Sequence, residues 1–164
     1  MLKPLYSKNF YDLLMTFIIL IIADQAAKIY VAQIMFENSF RDISISSFLN
    51  ITFVRNTGIS FGLFSDGGLL NRYFFTIFAT LIGLTLFITA ILSKKKFIQF
   101  SLVFISSGAI GNAIDRTYFG GVIDFIDFFI YNFHWPSFNL ADVFITIGVI
   151  SLFCENIVGK KHNV

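Results

Sequence analysis

Two aspartates at the ends of apolar segments are the residues best placed to do chemistry. Asp124 follows the apolar pair Val122-Ile123, and Asp142 opens the last long apolar segment. An acid close to hydrocarbon is costly, so its presence there indicates a function. Two carboxylates that share a site do not both ionise easily, and such a pair holds one proton. The ionised carboxylate can then take a proton from water that attacks an amide carbonyl, while its protonated partner polarises that carbonyl.

Further polar residues recur at helical spacing. Asn112 and Arg116 are four residues apart, which puts both on one helical face, where they can point at the same ligand. Asp24 and Lys28 are also four apart and are predicted to form a local ion pair. The other polar residues considered for the same site are Asn56, Asp115, Asp127 and Asn139.

Composition indicates a membrane protein of one domain. The 164 residues are 56% hydrophobic, with a mean hydropathy of +0.77, which exceeds that of ordinary soluble chains. A net charge of only +2 beside 23 phenylalanines excludes nucleic-acid binding. The single cysteine, Cys154, supports no disulfide framework and is expected to be a small core hydrophobe. No His and Cys ligand set has suitable spacing, so we expect neither a metal nor another cofactor.

Four apolar segments predict an all-α integral membrane protein with four transmembrane helices. Segment 73–92 has 20 residues without a charge, which at about 1.5 Å per residue is enough for one crossing. The first segment has a core of signal-peptide length, but three later spans need a first helix to orient them, which favours a retained span. The predicted spans of this single domain, 1–164, are residues 10–30, 73–92, 97–114 and 140–158. The stretch between the last two spans is predicted to be a loop.

Residues 37–71 predict a small cap outside the membrane. Apolar density falls there, imperfect alternation indicates short strands, and Asn56-Thr57-Gly58 is typical of a turn. Four spans put both termini on one side, together with seven lysines that mark this side as cytoplasmic. The polar residues then collect at the opposite, outer face, which predicts one site where spans one, three and four meet.

Five short motifs follow one another along nearly the whole chain. They are Asp24-Gln25-Ala26-Ala27-Lys28, Asn56-Thr57-Gly58-Ile59-Ser60-Phe61-Gly62, Gly111-Asn112-Ala113-Ile114-Asp115-Arg116, Val122-Ile123-Asp124-Phe125 and Phe138-Asn139-Leu140-Ala141-Asp142. Together they resemble the motif set of the bacterial lipoprotein signal peptidases, the signal peptidase II family. The departures are slight: Ser60 stands where the family usually has Ala, and Val143 where Ser is common.

The resemblance implies a monomeric aspartic endopeptidase of the bacterial inner membrane, with its active site at the extracytoplasmic face. It implies that the enzyme removes signal peptides from diacylglyceryl-modified prolipoproteins, cutting just before the lipidated cysteine, and that globomycin-like peptides inhibit it. It also implies a small outer β-cradle and a short periplasmic helix within the cap, residues 37–71. The implied site residues are the catalytic Asp124 and Asp142, the substrate-binding Asn56, Gly58, Asn112, Arg116 and Asn139, and the supporting Asp24, Lys28 and Asp115.

Single residues leave alternatives open. Asp127 lies three residues after Asp124 and could be the catalytic acid instead; position alone does not separate them, and the resemblance favours Asp124. The run His134-Trp135-Pro136 is predicted to be an interfacial aromatic anchor rather than a catalytic histidine site. Glu155, inside the last span, is expected to reach the interface or to pair with a lysine.

Rival functions also remain. A Ser-Lys peptidase would use Lys28 to activate Ser60 or Ser137, although a lysine close to Asp24 is a poor base. A small ion or proton carrier would use the aspartates as cation ligands, but it would place acids at several depths. A structural membrane subunit would use its outer polar residues only to contact a partner.

Overall fold

The computed structural model describes residues 8–58 and 68–161. In these residues the chain forms four helices and a four-stranded sheet. In chain order the elements are α1 (Lys8–Glu37), β1 (Ile43–Ser46), β2 (Leu49–Asn56), α2 (Gly68–Leu92), α3 (Lys96–Phe119), β3 (Val122–Ile130), β4 (Phe133–His134) and α4 (Leu140–Lys161).

Three helices of the described residues are long and apolar enough to cross a membrane. They are Asn9–Glu37, Arg72–Leu92 and Lys96–Phe119, which cover the first three predicted spans and extend beyond each of them. Large apolar side chains on α2 point away from the protein; Phe74 and Leu81 are 61% and 60% exposed. Such exposure suits a helix surrounded by lipid. The predicted fourth span forms α4, and its crossing of the membrane stays a prediction, as does the cytoplasmic position of the termini.

Helix α3 lies at the centre of the helix bundle, because it contacts α1, α2 and α4. Small residues allow the close approach: a Cβ added at Gly148 of α4 would lie 2.5 Å from the Ser101 carbonyl oxygen and 2.6 Å from Ile105 Cγ1 of α3. Small residues at helix contacts are the usual means by which transmembrane helices pack closely. The buried face of α3 is accordingly rich in polar and small side chains, with Leu102 and Val103 as its large apolar members.

The sheet has the antiparallel order β1-β2-β3-β4. Strands β1 and β2 lie in the predicted cap, but β3 and β4 come from the stretch between α3 and α4, where we expected a loop. The predicted combination of a mostly helical chain with a small sheet is confirmed, but the predicted loop between spans three and four is wrong, since half of the described strands follow α3. The rest of the described cap consists of turns and the first residues of α2. Residues 59–67, with Ser60, lie outside the described residues, and so does that part of the predicted periplasmic helix.

A left-handed glycine turns the chain from α3 into β3. Gly120 caps α3 with φ of 73°, and its N–H donates to the Arg116 carbonyl oxygen at 3.2 Å. Glycine adopts this conformation without a Cβ clash, so it is the usual residue after a helix end. Strand β3 then pairs with β2, with Val54 opposite Asp124 and Asn56 opposite Val122.

We predict that Gly148→Ala destabilises the protein more than Gly83→Ala does. At Gly148 the new methyl group meets a main-chain oxygen at 2.5 Å, whereas at Gly83 it meets the flexible end of Ile110 at 2.9 Å and a main-chain oxygen, that of Ser106, only at 3.4 Å. Both changes gain the same helix propensity, so their difference reports the clash, which we expect to be about 1–3 kcal/mol. Thermal unfolding of both variants in detergent measures it. Equal unfolding temperatures would contradict the close α3–α4 packing.

Candidate functional site

A polar cavity of about 360 Å³ contains both aspartates highlighted by the sequence. Its walls come from β2, α3, β3, α4 and the segment before α4. The lining residues are Asn56, Asn112, Arg116, Val122, Asp124, Trp135, Pro136, Ser137, Phe138, Asp142, Ile145 and Thr146.

Asp124 lies near the start of β3 and is held by two amide groups. Its Oδ1 accepts a hydrogen bond from Asn139 Nδ2 at 2.6 Å, and its Oδ2 accepts one from Asn56 Nδ2 at 3.1 Å. The side chain is buried, with 2% of the residue exposed. Asn56 in turn accepts a bond from the Gly58 N–H at 3.1 Å, so the predicted turn fixes this amide.

Asp142 is placed by the N-terminus of α4. Asn139 precedes the helix, and its Oδ1 accepts from the Asp142 N–H at 3.0 Å, while the Asn139 N–H donates to Asp142 Oδ2 at 3.2 Å. These reciprocal bonds form a capping box, which satisfies N–H groups that a helix start leaves without partners. Because the Asn139 side chain also donates to Asp124, this one residue contacts both carboxylates, that of Asp124 through its amide and that of Asp142 through its main-chain N–H.

A buried charged cluster lies behind the cavity. Lys28 Nζ contacts Asp24 Oδ2 and Asp115 Oδ2, each at 2.8 Å, so the predicted Asp24–Lys28 ion pair is present. All three residues are 0–1% exposed. Lys28 also donates to Asn112 Oδ1 at 3.0 Å, and Asn112 Nδ2 donates to Asp142 Oδ1 at 2.9 Å. The cluster is therefore connected to the cavity through one amide.

Gln25 belongs to this cluster, although sequence reasoning did not select it. Its Nε2 donates to Asp115 Oδ1 at 2.9 Å and approaches Asp24 Oδ2 at 3.1 Å. Asp24 Oδ1 accepts from the Ala141 N–H at 2.9 Å, which satisfies a further donor at the start of α4. In the sequence, the position of Gln25 next to Asp24 within the first motif was the feature that could have indicated its place in the cluster.

Arg116 lines the cavity with few partners of its own. Its Nη2 lies 3.4 Å from the Gly58 carbonyl oxygen and its Nη1 lies 3.5 Å from that of Asn112, both long distances for hydrogen bonds. Its Nε is buried and has no hydrogen-bond partner in the part of the chain that the structure describes. A guanidinium in this position can donate to an incoming carbonyl oxygen.

The cavity perturbs the titration of Asp124. Burial, which disfavours the charged form, and the nearby charge of Asp142 together raise its pKa from 3.8 to about 6. Hydrogen bonds from Asn56 and Asn139 and the charge of Lys28 oppose this rise. A carboxyl group that keeps its proton to this pH can act as an acid near neutrality.

Asp127 occupies a different environment. Its carboxylate lies 2.8 Å from His134 Nδ1 and accepts from Asn50 Nδ2 at 3.2 Å. Residues three apart on a strand point to opposite faces, so Asp127 points away from the face that carries Asp124. The structure therefore gives Asp124 and Asp127 different surroundings, a distinction that sequence position alone did not make.

An apolar cavity of about 570 Å³ lies beside the sheet and has no titratable side chain among its lining residues. It is lined by Phe48, Phe128, Phe129, Ile130, Phe133, Trp135 and Phe138. Trp135 and Phe138 line both cavities. Of these two cavities, the polar one has the titratable lining residues that acid–base chemistry needs, and the apolar cavity lies next to it.

Two residues of α4 outside the site bear on the sequence predictions. Cys154 is exposed in the part of the chain that the structure describes, so the prediction of a core position is wrong. Glu155 pairs with Lys95 at 3.2 Å, as the expectation of a lysine partner requires.

Comparison with known proteins agrees with the motif resemblance. A sequence model of the family described as signal peptidase (SPase) II matches residues 16–158. The chain belongs to the signal peptidase II family. It is 37% identical to the lipoprotein signal peptidase of Serratia marcescens over 93% of this chain and 89% of that protein, and 39% identical to that of Pelagibacter ubique (strain HTCC1062) over 95% of each.

Solved structures place the family among bacterial membrane enzymes. One bacterial membrane enzyme solved at 2.3 Å is 29% identical to this chain, with a TM-score of 0.76 over 93% of this chain and 92% of that chain. A second, solved at 1.9 Å, is 32% identical, with a TM-score of 0.72 over 87% and 90% of the two chains. Membership of the signal peptidase II family identifies the chain as a peptidase, and its membrane-capable helices agree with that class.

We predict that Asp124→Asn removes part of the pH dependence of stability. Since folding raises the pKa of Asp124, the folded protein binds this proton more tightly than the unfolded chain does. The contribution of this proton to the free energy of unfolding is complete below about pH 4 and is lost as the pH rises through about 6. The total change is on the order of 3 kcal/mol. Unfolding temperatures in detergent between these pH values should fall less steeply for the variant than for the wild type. An identical slope for both proteins would contradict the raised pKa.

Proposed function

We propose that this chain is an aspartic endopeptidase that removes signal peptides from diacylglyceryl-modified prolipoproteins by cleaving before the lipidated cysteine. The observation that carries the proposal is the linkage of Asp124 and Asp142 by Asn139 within one cavity. The printed name of the relatives, lipoprotein signal peptidase, supports the substrate class.

In the proposed reaction the two carboxyl groups share one proton. Asp142 carries the charge and takes a proton from water, whose oxygen attacks the scissile carbonyl carbon. Asp124, whose pKa is raised to about 6, holds the shared proton and donates a hydrogen bond to the carbonyl oxygen. The resulting tetrahedral intermediate breaks the C–N bond as the leaving amine takes a proton from the pair.

The surrounding side chains pose the substrate in this proposal. Arg116 donates to a substrate carbonyl oxygen from the guanidinium that lines the cavity. Asn56, Asn112 and Asn139 hold the two aspartates at fixed angles. The apolar surface beside the cavity suits a substrate that carries acyl chains, because the lipid anchor already confines the scissile bond to the membrane boundary.

The proposal includes a membrane arrangement. The chain is a single domain with four spans, both termini are cytoplasmic, and the cavity opens at the extracytoplasmic face of the bacterial inner membrane. The sheet forms the outer cradle, and the exposed Trp135 and Tyr131 lie at the interface. The enzyme acts as a monomer, and globomycin-like peptides inhibit it by occupying the cavity.

The rival peptidase mechanism has less support. All three N–H groups of Lys28 are directed at oxygen atoms of Asp24, Asp115 and Asn112, so its ammonium is a poor general base. Ser137 lines the cavity, while Ser60 lies outside the described residues. A Ser-Lys enzyme would lose activity in Lys28→Ala and keep it in the aspartate variants.

We predict that Asp142→Asn and Asp124→Asn each lower the cleavage rate of a lipidated prolipoprotein by about 10²- to 10⁴-fold. Each change removes one member of the proton-sharing pair while keeping the size of the side chain. Asp127→Asn is the matched control, because it alters a buried aspartate of the same strand outside the cavity. A purified-enzyme assay in detergent measures the rates. Near-native cleavage by Asp142→Asn would exclude the dyad.

We also predict that kcat for this cleavage falls as the pH rises above about 6. Activity requires the proton on Asp124, so it should fall on the alkaline side as the pH rises past its pKa of about 6. A rate that keeps rising through neutral pH would indicate a different base.

A further inference from the structure

Lys28 is one of two donors, with Asn139, that fix which way the Asn112 amide faces. The Lys28 residue is 1% exposed, and the three N–H groups of its ammonium meet Asp24 Oδ2 and Asp115 Oδ2 at 2.8 Å and Asn112 Oδ1 at 3.0 Å. An ammonium has donors and no acceptor. The atom of Asn112 that faces Lys28 must therefore be its oxygen, and the opposite orientation would set two donors against each other.

The orientation of the Asn112 amide determines whether Asp142 Oδ1 faces an N–H donor or a carbonyl oxygen. With its oxygen turned to Lys28, Asn112 directs its Nδ2 at Asp142 Oδ1, 2.9 Å away. Asn139 is oriented in the same sense: its oxygen accepts the Asp142 N–H, so its Nδ2 faces Asn112 Oδ1 at 3.2 Å and Asp124 Oδ1 at 2.6 Å. As a result both aspartates meet N–H donors from the two amides.

We propose that Lys28 is a positioning residue whose ammonium orients the Asn112 amide so that it donates to Asp142. The inference rests on the proposed function, because the orientation matters only if Asp142 takes part in the reaction. It differs from a purely structural role, in which Lys28 would serve only as the counter-ion of two buried carboxylates.

The test compares Lys28→Met with the double variant Asp24→Asn/Lys28→Met. The single variant removes the donor and leaves two buried carboxylates without their counter-ion, so it should lose stability as well as activity. The double variant restores the formal charge of the cluster. The amide oxygen introduced by Asp24→Asn can still accept from the Ala141 N–H, and Asp115 keeps donors from Gln25 and the Ile123 main chain.

Positioning predicts that the double variant regains most of the lost unfolding temperature but not the lost activity. Its kcat on a lipidated prolipoprotein should stay about tenfold to a hundredfold below that of the wild type, with KM little changed, as expected when one hydrogen bond to a charged group is lost. Recovery of wild-type kcat together with stability would show that Lys28 is only a counter-ion and would overturn the inference.

A second variant covers the case in which neither Lys28 variant folds. Asn112→Asp keeps an oxygen towards Lys28 but has no N–H for Asp142, so its kcat should fall by a similar factor; wild-type kcat would overturn the inference. Wild type and Asp142→Asn are assayed alongside. If the wild type does not cleave, or Asp142→Asn does, the proposed function fails; if both behave as expected and Lys28 proves dispensable, only the positioning role fails.

Discussion

The site depends on the hydrogen bonds of one amide side chain. Asn139 ends the segment before α4, caps that helix, and donates to Asp124 of β3. A buried amide and the free N–H groups at a helix start are costly unless each finds a partner. The arrangement that satisfies them also brings together two carboxylates that would otherwise repel each other. The start of α4, the register of β3 and the position of Asp142 are therefore parts of one constraint.

The charged cluster behind the cavity supports this constraint and requires close helix packing. Asp24 of α1 reaches the start of α4 past α3, and a Cβ at Gly111 would lie 2.7 Å from its Oδ2. Glycine at that position leaves room for a buried carboxylate, and Lys28 and Gln25 supply the donors that the carboxylate needs. A buried ion pair contributes little net stability but strongly favours one arrangement over others, since removal of either partner leaves an uncompensated charge. The need for these partners explains why polar residues lie on buried helix faces in a chain whose composition is otherwise apolar.

Much of the helical part of the fold can be predicted from the sequence, because the length of an apolar segment and the spacing of its polar residues directly indicate a helix. The first three spans and the Asp24–Lys28 pair follow from lengths near 20 residues and from the four-residue period. Strand β3 could not be read in the same way. Segment 122–130 is almost uniformly apolar, which hides the two-residue period, and its pairing with β2 joins residues distant in sequence. The different surroundings of Asp124 and Asp127 depend on that strand, so position alone could not separate them.

The central claim is that Asp124 and Asp142 share one proton. Infrared spectroscopy of the detergent-solubilised protein tests it directly, because a protonated carboxyl group has a carbonyl band distinct from that of a carboxylate. The account predicts a protonated-carboxyl band that disappears with a midpoint at a pH of about 6, the raised pKa of Asp124. The band should be absent in Asp124→Asn, and its midpoint should move to lower pH in Asp142→Asn, which lacks the neighbouring charge. An unchanged midpoint in Asp142→Asn would show that the two carboxyl groups do not interact and would contradict the account.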